Sequence, residues 1–246
     1  MMIGGKILYF RRLTSTNDLA RELAIQGEEE GTVIVADEQT AGRGTKGRIW
    51  YSAFSLGLYA SIILRPKRMT LSLLPLAMGL ACREALNEAF NLEVVLKWPN
   101  DLIINKRKLG GLLLESSFSG GFPTYAIFGL GLNLNHEAND FPEEIRERAI
   151  SLRQVCGRKI DREAILNLLW PKINFWYQTF LQGRDAEIIA SFERGHLYSR
   201  GEEVSVVLNG REIIGQFDGF THDGALRLTT GRTILTITTG EINSKK

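Results

Sequence analysis

Residues 37–50 of this 246-residue chain fit neither a packed helix nor a buried strand, and the rest of the fold has to accommodate them. Three glycines alternate there with three cations, in the order Gly42, Arg43, Gly44, Lys46, Gly47 and Arg48. Glycine permits positive φ and close backbone approach, but a loop rich in glycine is costly to order. We therefore expect a loop that closes on a phosphate-bearing ligand. From these residues alone, a mobile and solvated basic loop is a nearly equal alternative.

The overall composition is that of an ordinary soluble globular protein, with 44% hydrophobic and 24% charged residues. A chain of this length can bury one substantial core and carry a small second domain. Its formal net charge of +2 is too small to indicate a nucleic-acid-binding surface. We therefore expect no DNA binding and only local electrostatic function.

The cysteines and histidines indicate no metal site. Cys82 and Cys156 lie far apart, without the density or spacing of a disulfide framework or a zinc site. The histidines His136, His196 and His222 are scattered, and we interpret them as surface or locally hydrogen-bonded residues. The chain also lacks a secretory signal pattern and any apolar stretch long enough to span a bilayer. A cytoplasmic protein without membrane contact is the simplest interpretation.

Two helices carry sequence signals that bear on the argument. A run of helix-capping residues followed by an apolar face predicts a helix from Thr16 or Asn17. Capping accounts for at least one of Ser15, Thr16 and Asn17, but three in succession exceed what a cap needs, so one or two are candidates to face a polar ligand. Residues 162–182 predict a longer helix, which Pro171 should kink or split.

Apolar runs at 32–36, 108–116 and 125–135 predict buried strands, the first of which delivers the glycine loop. The second carries two glycines near its start, which indicates that something packs directly against its backbone. In the third, Gly129 and Gly131 share one face and leave it without side chains. We expect two such flat strands to form the floor of a ligand pocket. The Gly-x-Gly pair is not a dinucleotide fingerprint, because it lies inside a strand and opens no helix.

The chain changes character near residue 197. Short alternating strands follow, separated by an Asn-Gly pair at 209–210 and an Asp-Gly pair at 223–224, both strong hairpin signals. We expect a main domain over residues 1–195 and a small β-barrel over residues 196–246. Because so small a barrel is marginal by itself, it should dock against the main domain.

Taken together, the motifs resemble those of the biotin protein ligases. The resemblance rests on Gly-Arg-Gly-x-x-Gly-Arg from residue 42, Lys-Trp-Pro-Asn-Asp from 97 and Lys-Leu-Gly-Gly-Leu-Leu-x-Glu from 108, with the polar run at 15–17 and the glycine strand at 129–133. It covers almost the whole chain and is highly specific as a combination. It implies an α/β (α+β) catalytic domain related to class II aminoacyl-tRNA synthetases, followed by a small all-β SH3-like barrel.

The resemblance also implies a two-step reaction. The biotin carboxylate attacks the α-phosphate of ATP to give biotinyl-AMP, and a lysine of a biotin carboxyl carrier domain then attacks this adenylate. Lys108, Arg43 and Asp101 are the implied catalytic residues: Lys108 holds the substrate carboxylate near the α-phosphate, and Asp101 orients the acceptor lysine or helps to hold Mg²⁺. Magnesium is expected with ATP, without a metal site of the protein's own.

The implied biotin site has a polar end and a flat apolar wall. The hydrogen-bonding set for the ureido ring is Ser15, Thr16, Asn17 and Gln39. The apolar wall is Gly111, Leu113, Gly129 and Gly131, with Leu132 as the next contact along that strand. Gly42, Arg43 and Lys108 complete the implied set.

The implied site for ATP and the adenylate comprises Arg43, Arg48, Trp50, Lys97, Asn100, Lys108 and Asn133. Within it the arginines contact phosphates, and Trp50 is placed to stack on adenine. One departure is Thr45, because the family's loop often has a second arginine there. We expect the adenylate to be held less tightly unless Lys46 compensates.

Some members of the family carry an N-terminal DNA-binding domain, and because the pattern here starts by residue 15 we expect a stand-alone ligase. Two alternatives remain, a lipoate or octanoate protein ligase and a non-catalytic biotin-binding regulator. The ligase motifs disfavour the first, and the presence of Arg43 and Lys108 disfavours the second. Pairing of subunits is frequent in the family, so a homodimer stays open.

Overall fold

The computed structural model describes residues 2–208 and 210–245, which form two separate sheets. The first sheet has seven strands in the order β1-β2-β3-β7-β6-β5-β4. Its strands are β1 (Lys6–Phe10), β2 (Thr32–Ala36), β3 (Gly57–Leu64), β4 (Val95–Lys97), β5 (Asp101–Ile104), β6 (Arg107–Ser119) and β7 (Phe122–Asn133). The β1 and β2 strands pair in parallel, and the remaining neighbours pair antiparallel, so the sheet is mixed.

Helices cover both faces of this sheet. They are α1 (Thr16–Ile25), α2 (Leu74–Phe90), α3 (Glu143–Arg146), α4 (Leu152–Cys156), α5 (Arg162–Leu181) and α6 (Asp185–Arg194). Strand alternation decides which layer each residue joins: Val33 and Val35 of β2 enter the large core with α2 and α5, whereas Ile34 faces α1. Ala20 and Ala24 of α1 pack in that smaller cluster, so α1 is fixed against the sheet, with Asn17 of its first turn over Gly129 in the central strand β7.

The long helix α5 is continuous, so the predicted split at Pro171 is wrong. Its start is as expected, because the Asp161 side chain accepts a hydrogen bond from the Glu163 amide at 3.1 Å. Pro171 removes the bond to the carbonyl of Asn167, but both residues lie on the exposed side, where water can replace the missing partner. The opposite side is buried against α2, and this packing maintains the helix.

The second sheet is entirely antiparallel, in the order β11-β10-β9-β8-β12. Its strands are β8 (Glu203–Leu208), β9 (Arg211–Phe220), β10 (Leu226–Thr230), β11 (Thr233–Ile237) and β12 (Ile242–Ser244). Four of them were predicted, whereas β12 was not, because three residues are too few to show alternation. Of the predicted hairpin pair at 209–210, Asn209 lies outside the described residues.

The two sheets are joined through Trp98 and His196. The Trp98 indole N–H donates to the Gly224 carbonyl at 3.0 Å, and the Trp98 amide donates to His196 Nε2 at 3.3 Å. His196 packs among aromatic rings that include Phe217 and Phe220. Burial lowers the pKa of His196 to about 4, which keeps the ring neutral and able to accept the Trp98 hydrogen bond.

We predict that Gly224→Ala weakens the attachment of the second sheet. Gly224 has φ +84°, and an added Cβ would lie 2.9 Å from the buried side chains of Leu73 and Leu76. Strain and overlap together should lower the free energy of unfolding by about 2–3 kcal/mol in urea denaturation. The matched control is Gly231→Ala, which has φ +59° and open space around the new methyl group, and should lose about 1 kcal/mol. Equal losses in the two variants would contradict the packing role.

Candidate active site

One cavity of about 350 Å³ lies between the glycine loop, the first turn of α1 and the strands β6 and β7. The predicted residues in its wall are Ser15, Thr16, Asn17, Gln39, Arg43, Arg48, Trp50, Lys97, Asn100, Asp101, Lys108, Gly111, Leu113, Gly129, Gly131 and Asn133. The cavity therefore brings together segments from along most of the first sheet.

Two predicted residues are not in this wall. Leu132 alternates with Gly131 along β7 and is fully buried in the large core, so its expected role as the next ligand contact is not supported. Gly42 lies behind the wall, where an added Cβ would be 2.5 Å from the Trp50 carbonyl and 2.7 Å from Ser52 Oγ. Its glycine is explained by this close packing of the loop rather than by ligand contact.

The floor of the cavity is a strand face without side chains of its own, and two side chains from other segments pack onto it. Gly111 of β6 pairs with Gly131 of β7, and Gly129 lies two residues earlier on the same face. An added Cβ would collide with the Asn17 side chain at Gly129 and with the Trp50 indole at Gly131. Both positions require glycine because these two side chains approach the strand so closely. The predicted flat face is present, and much of it supports Asn17 and Trp50.

The polar end of the cavity is a network of neutral groups at the start of α1. Ser15 occupies the N-cap position, but its side chain makes no capping hydrogen bond, so the expectation that capping uses at least one of these residues is wrong. Thr16 instead donates to Gln39 Oε1, from its amide at 2.8 Å and its hydroxyl at 3.0 Å. The Gln39 amide group donates to Ser52 Oγ at 2.8 Å. Bound in this way, the Thr16 and Gln39 side chains are held in fixed orientations.

The glycine loop forms a hairpin of its own. The Gly44 amide donates to the Arg48 carbonyl at 2.7 Å, and the Trp50 amide donates to the Gly42 carbonyl at 2.8 Å. Lys46 lies at the tip with φ 57° and is exposed. Within residues 2–208 and 210–245, Lys46 has no ion-pair partner. These contacts favour an ordered loop over the solvated alternative.

Protein carboxylates already pair with the two arginines of the loop. Arg43 Nη2 lies 2.9 Å from Asp18 and 2.8 Å from Glu115. Arg48 Nη1 lies 2.9 Å from Glu241. The expected anion for these side chains is thus supplied by the chain itself, and an anionic ligand at Arg48 would have to exchange with Glu241.

The second sheet contributes directly to this cavity, which the sequence did not predict. Lys97 donates to the Asn243 side chain at 2.9 Å and lies 3.5 Å from Glu241, which is in the cavity wall. Burial raises the pKa of Glu241, but Lys97 and Arg48 outweigh this effect and lower it overall. Glu241 is therefore ionised at neutral pH and holds both cations at one end of the cavity.

Lys108 and Asp101 form a close pair in the middle of the site. Lys108 Nζ lies 2.6 Å from Asp101 and 5.4 Å from the centre of a Trp50 ring. Both residues are on adjacent strands, and the pairing register shifts between Leu102 and Ile103, so the two side chains reach the same side. The Lys108 side chain is about one-third exposed and lines the cavity.

Asn100 and Asn133 are also held by backbone groups. The Asn100 side-chain Nδ2 donates to the Leu112 carbonyl at 2.6 Å, and the Asn133 side-chain Nδ2 donates to the Ile150 carbonyl at 3.1 Å. These bonds use the N–H₂ groups for structure and leave the amide oxygens as the groups that can face a ligand.

An apolar wall formed by Phe141, Ile145 and Ala149 was missed by the sequence analysis. The segment between β7 and α5 contains only short helices, α3 and α4, which show too few turns for an apolar pattern. Phe141 stacks on His136 with ring centres 4.6 Å apart. His136 is fully buried, and neither ring nitrogen has a partner among the described residues, so its interpretation as a surface or hydrogen-bonded residue is wrong. Burial lowers its pKa to about 4.

In the described part of the chain, no three His, Cys, Asp or Glu side chains are grouped closely enough to hold a metal ion. None of its helices combines the length and the apolar character needed to cross a membrane.

Comparisons with known proteins agree on one family. Residues 9–133 match the model of the biotin/lipoate A/B protein ligase family. The bifunctional ligase/repressor BirA of Bacillus subtilis is 34% identical over 246 residues, which is 98% of this chain and 74% of that protein. The biotin–[acetyl-CoA-carboxylase] ligase of Paracoccus denitrificans is 32% identical over 229 residues, which is 88% of this chain and 91% of that protein. A solved biotin protein ligase from Aquifex aeolicus, in complex with biotin and ATP, has a TM-score of 0.84 and 33% identity, covering 97% of this chain and 98% of that one.

We predict that His136→Phe reduces the acid sensitivity of folding. In the unfolded chain the histidine has its ordinary pKa near 6.5, so above that pH its burial carries no proton-linked cost. As the pH falls from 6.5 to 4, the unfolded state gains a proton that the folded state does not, and stability is lost. Phenylalanine retains the stacking on Phe141 and should recover on the order of 2–3 kcal/mol of this loss. Urea unfolding at pH 7 and pH 4.5 measures it, and an unchanged pH dependence would contradict the prediction.

Proposed function

The chain belongs to the biotin/lipoate A/B protein ligase family, and we propose that within it the protein is a biotin protein ligase. It joins biotin to ATP, forming biotinyl-AMP and pyrophosphate, and then transfers the biotinyl group to a lysine of a biotin carboxyl carrier domain. The observation that carries this proposal is a single cavity with a neutral polar network at one end, bare backbone along its floor and cations towards the other end.

The polar end suits the ureido ring of biotin. This ring is neutral and presents two N–H donors and one carbonyl acceptor, which match fixed hydroxyl and amide groups better than charges. Thr16 and Gln39 are held by their mutual hydrogen bonds, so little ordering is needed when the ring binds. Gly111 and Leu113 provide the flat wall that accommodates the apolar bicycle.

The opposite end suits the nucleotide. Phe141, Ile145 and Ala149 supply an apolar wall for the adenine ring, and stacking of that ring on Trp50 is part of the proposal. Arg48 and Lys97 are the cations available to the phosphates, which would replace Glu241 as their partner. Magnesium belongs to this scheme as part of the Mg²⁺–ATP substrate.

Lys108 lies between the two ends and is the proposed centre of the chemistry. A biotin carboxylate oxygen attacks the α-phosphorus, and the bond from that phosphorus to the bridging oxygen breaks as pyrophosphate leaves. Charge increases on the oxygens around phosphorus, where the Lys108 ammonium can stabilise it. In the second step the amine of the acceptor lysine attacks the carboxyl carbon, AMP leaves, and the amine loses a proton. Asp101, held 2.6 Å from Lys108, is the proposed group that orients this amine.

Pyrophosphate release separates this proposal from its alternatives. The unaltered protein is incubated with Mg²⁺–ATP and biotin, lipoate or octanoate in parallel. Release that depends on biotin supports the biotin ligase. Release with lipoate or octanoate in its place would move the protein to the lipoate branch of the family, and no release with any of them would indicate a biotin-binding regulator.

The finer structural and cellular assignments belong to the same proposal. We infer that the second sheet is an SH3-like barrel and that the catalytic domain, placed at residues 1–195, is related to class II aminoacyl-tRNA synthetases. The protein would act in the cytoplasm, and sedimentation with and without biotinyl-AMP tests whether it forms a homodimer.

Lys108→Ala should leave the fold intact and remove most of the activity. The side chain is partly exposed and supports no core packing, whereas loss of a group that stabilises transition-state charge costs about 10²–10³ in rate. Single-turnover adenylate formation measures the rate, and circular dichroism verifies the fold. The control is Lys172→Ala, which removes a similarly exposed lysine paired with Glu88 on α2. Turnover close to that of the control would contradict the assignment of Lys108.

Thr45→Arg should reduce the escape of biotinyl-AMP. Thr45 accepts a hydrogen bond from the neighbouring Arg48, whose Nη2 lies 3.2 Å from Thr45 Oγ1, and position 45 itself carries no arginine to hold the adenylate. We expect free biotinyl-AMP in a reaction without acceptor to fall about threefold or more in the variant, as one charge-assisted hydrogen bond would allow. Lys46→Ala should raise the release if Lys46 compensates in part. Equal release by the unaltered protein and Thr45→Arg would refute the role of Thr45.

A further inference from the structure

Glu115 makes two contacts that the proposed reaction does not use. Its Oε2 accepts a hydrogen bond from Asn17 Nδ2 at 2.7 Å and another from Arg43 Nη2 at 2.8 Å. Glu115 itself is not in the cavity wall, whereas Asn17 and Arg43 both are. It therefore touches two residues of the site without touching the space where a ligand would bind.

The carboxylate fixes which way the Asn17 amide faces. An ionised carboxylate can only accept hydrogen bonds, so the Asn17 group next to Glu115 must be the N–H₂ group. Asn17 Oδ1 is then on the other side, where it accepts from the Ser61 hydroxyl at 2.6 Å and stands over Gly129 in the cavity floor. This orientation places an acceptor oxygen, rather than an N–H donor, over Gly129 in the cavity wall.

The charges around Glu115 are balanced by other side chains of the protein. Asp18 lies 2.9 Å from Arg43 and 2.7 Å from Arg21, and Arg21 also approaches Glu115 at 4.0 Å. Two cations and two carboxylates form one group behind the polar end. The same group ties Arg43, and with it the start of the glycine loop, to α1 and β6.

We propose that Glu115 is a specificity-determining positioning residue: it holds Asn17 so that an amide oxygen faces the cavity, which selects a ligand ring with an N–H donor. The proposal rests on the proposed function, since the ureido ring of biotin supplies such donors, and neither the dithiolane ring of lipoate nor octanoate has any. Loss of the fixed orientation would let Asn17 present its N–H₂ group, which repels the same ring N–H.

The test exchanges the hydrogen-bond donor and acceptor between residues 17 and 115 while keeping an oxygen atom of residue 17 towards the cavity. Asn17→Asp places two carboxylates in contact and should weaken biotin binding about tenfold or more in calorimetry without ATP. Adding Glu115→Gln gives the side chain at 115 an amide that can donate to the new carboxylate. The double variant should therefore bind biotin at least about tenfold more tightly than Asn17→Asp alone. A purely structural role for Asn17 and Glu115 would not produce this rescue in ligand affinity at equal thermal stability.

Single substitutions keep the proposal testable if Asn17→Asp does not fold. Glu115→Gln should weaken biotin binding by about twofold to tenfold, because Asn17 can then adopt either orientation. The matched control is Glu84→Gln, which changes a carboxylate of similar exposure that bonds to Trp176 on the far side of the sheet, and it should bind as the unaltered protein does.

Three outcomes would overturn the proposal, and the third is distinguishable from the first two. If the unaltered protein binds biotin but the affinity of the double variant is as low as that of Asn17→Asp, biotin does not depend on a hydrogen bond to the side-chain oxygen of residue 17. Only the positioning role of Glu115 then fails. Equal affinity of Glu115→Gln and Glu84→Gln has the same meaning. If the unaltered protein does not bind biotin, the proposed function fails together with this inference.

Discussion

The close approach of Asn17 and Trp50 to the bare face of β7 is the constraint on which the rest of the site depends. No side chain fits at Gly129, where a Cβ would collide with the Asn17 amide group, or at Gly131, where it would collide with the Trp50 indole. This contact sets the depth of the cavity and the position of the first turn of α1 relative to the sheet. It also places the Trp50 ring beside Lys108, at the point where the polar and the cationic ends of the cavity meet.

Balanced charge is the second organising feature. The loop arginines and Lys97 are paired with protein carboxylates, which come from α1, β6 and the second sheet. Binding of a polyphosphate at this end, as proposed, would therefore be an exchange of one anion for another rather than the filling of an unpaired positive site. Such an exchange avoids leaving cations unpaired in either state, and it would make Glu241, just before β12 of the second sheet, part of the proposed nucleotide end.

Local sequence signals were sufficient for most of the fold and for part of the site. Patterns among neighbouring residues correctly predicted the strand β2, the hairpins of the second sheet and the side-chain-free face of β7. The predicted split at Pro171 was wrong because tertiary packing outweighed a local preference. Glu241 and the wall around Phe141 were missed because they reach the cavity only through contacts between distant segments. His136 gave no signal, since burial of an unpartnered histidine depends entirely on the surrounding fold.

The account as a whole is tested most directly by the intact mass of an isolated biotin carboxyl carrier domain after incubation with this protein, biotin, ATP and magnesium. Lipoate is supplied as a parallel competitor. The account predicts a mass gain equal to one biotinyl group that requires ATP and is absent when the acceptor lysine is replaced. A lipoyl gain, or no gain although biotinyl-AMP is formed and several carrier domains are offered, would contradict it.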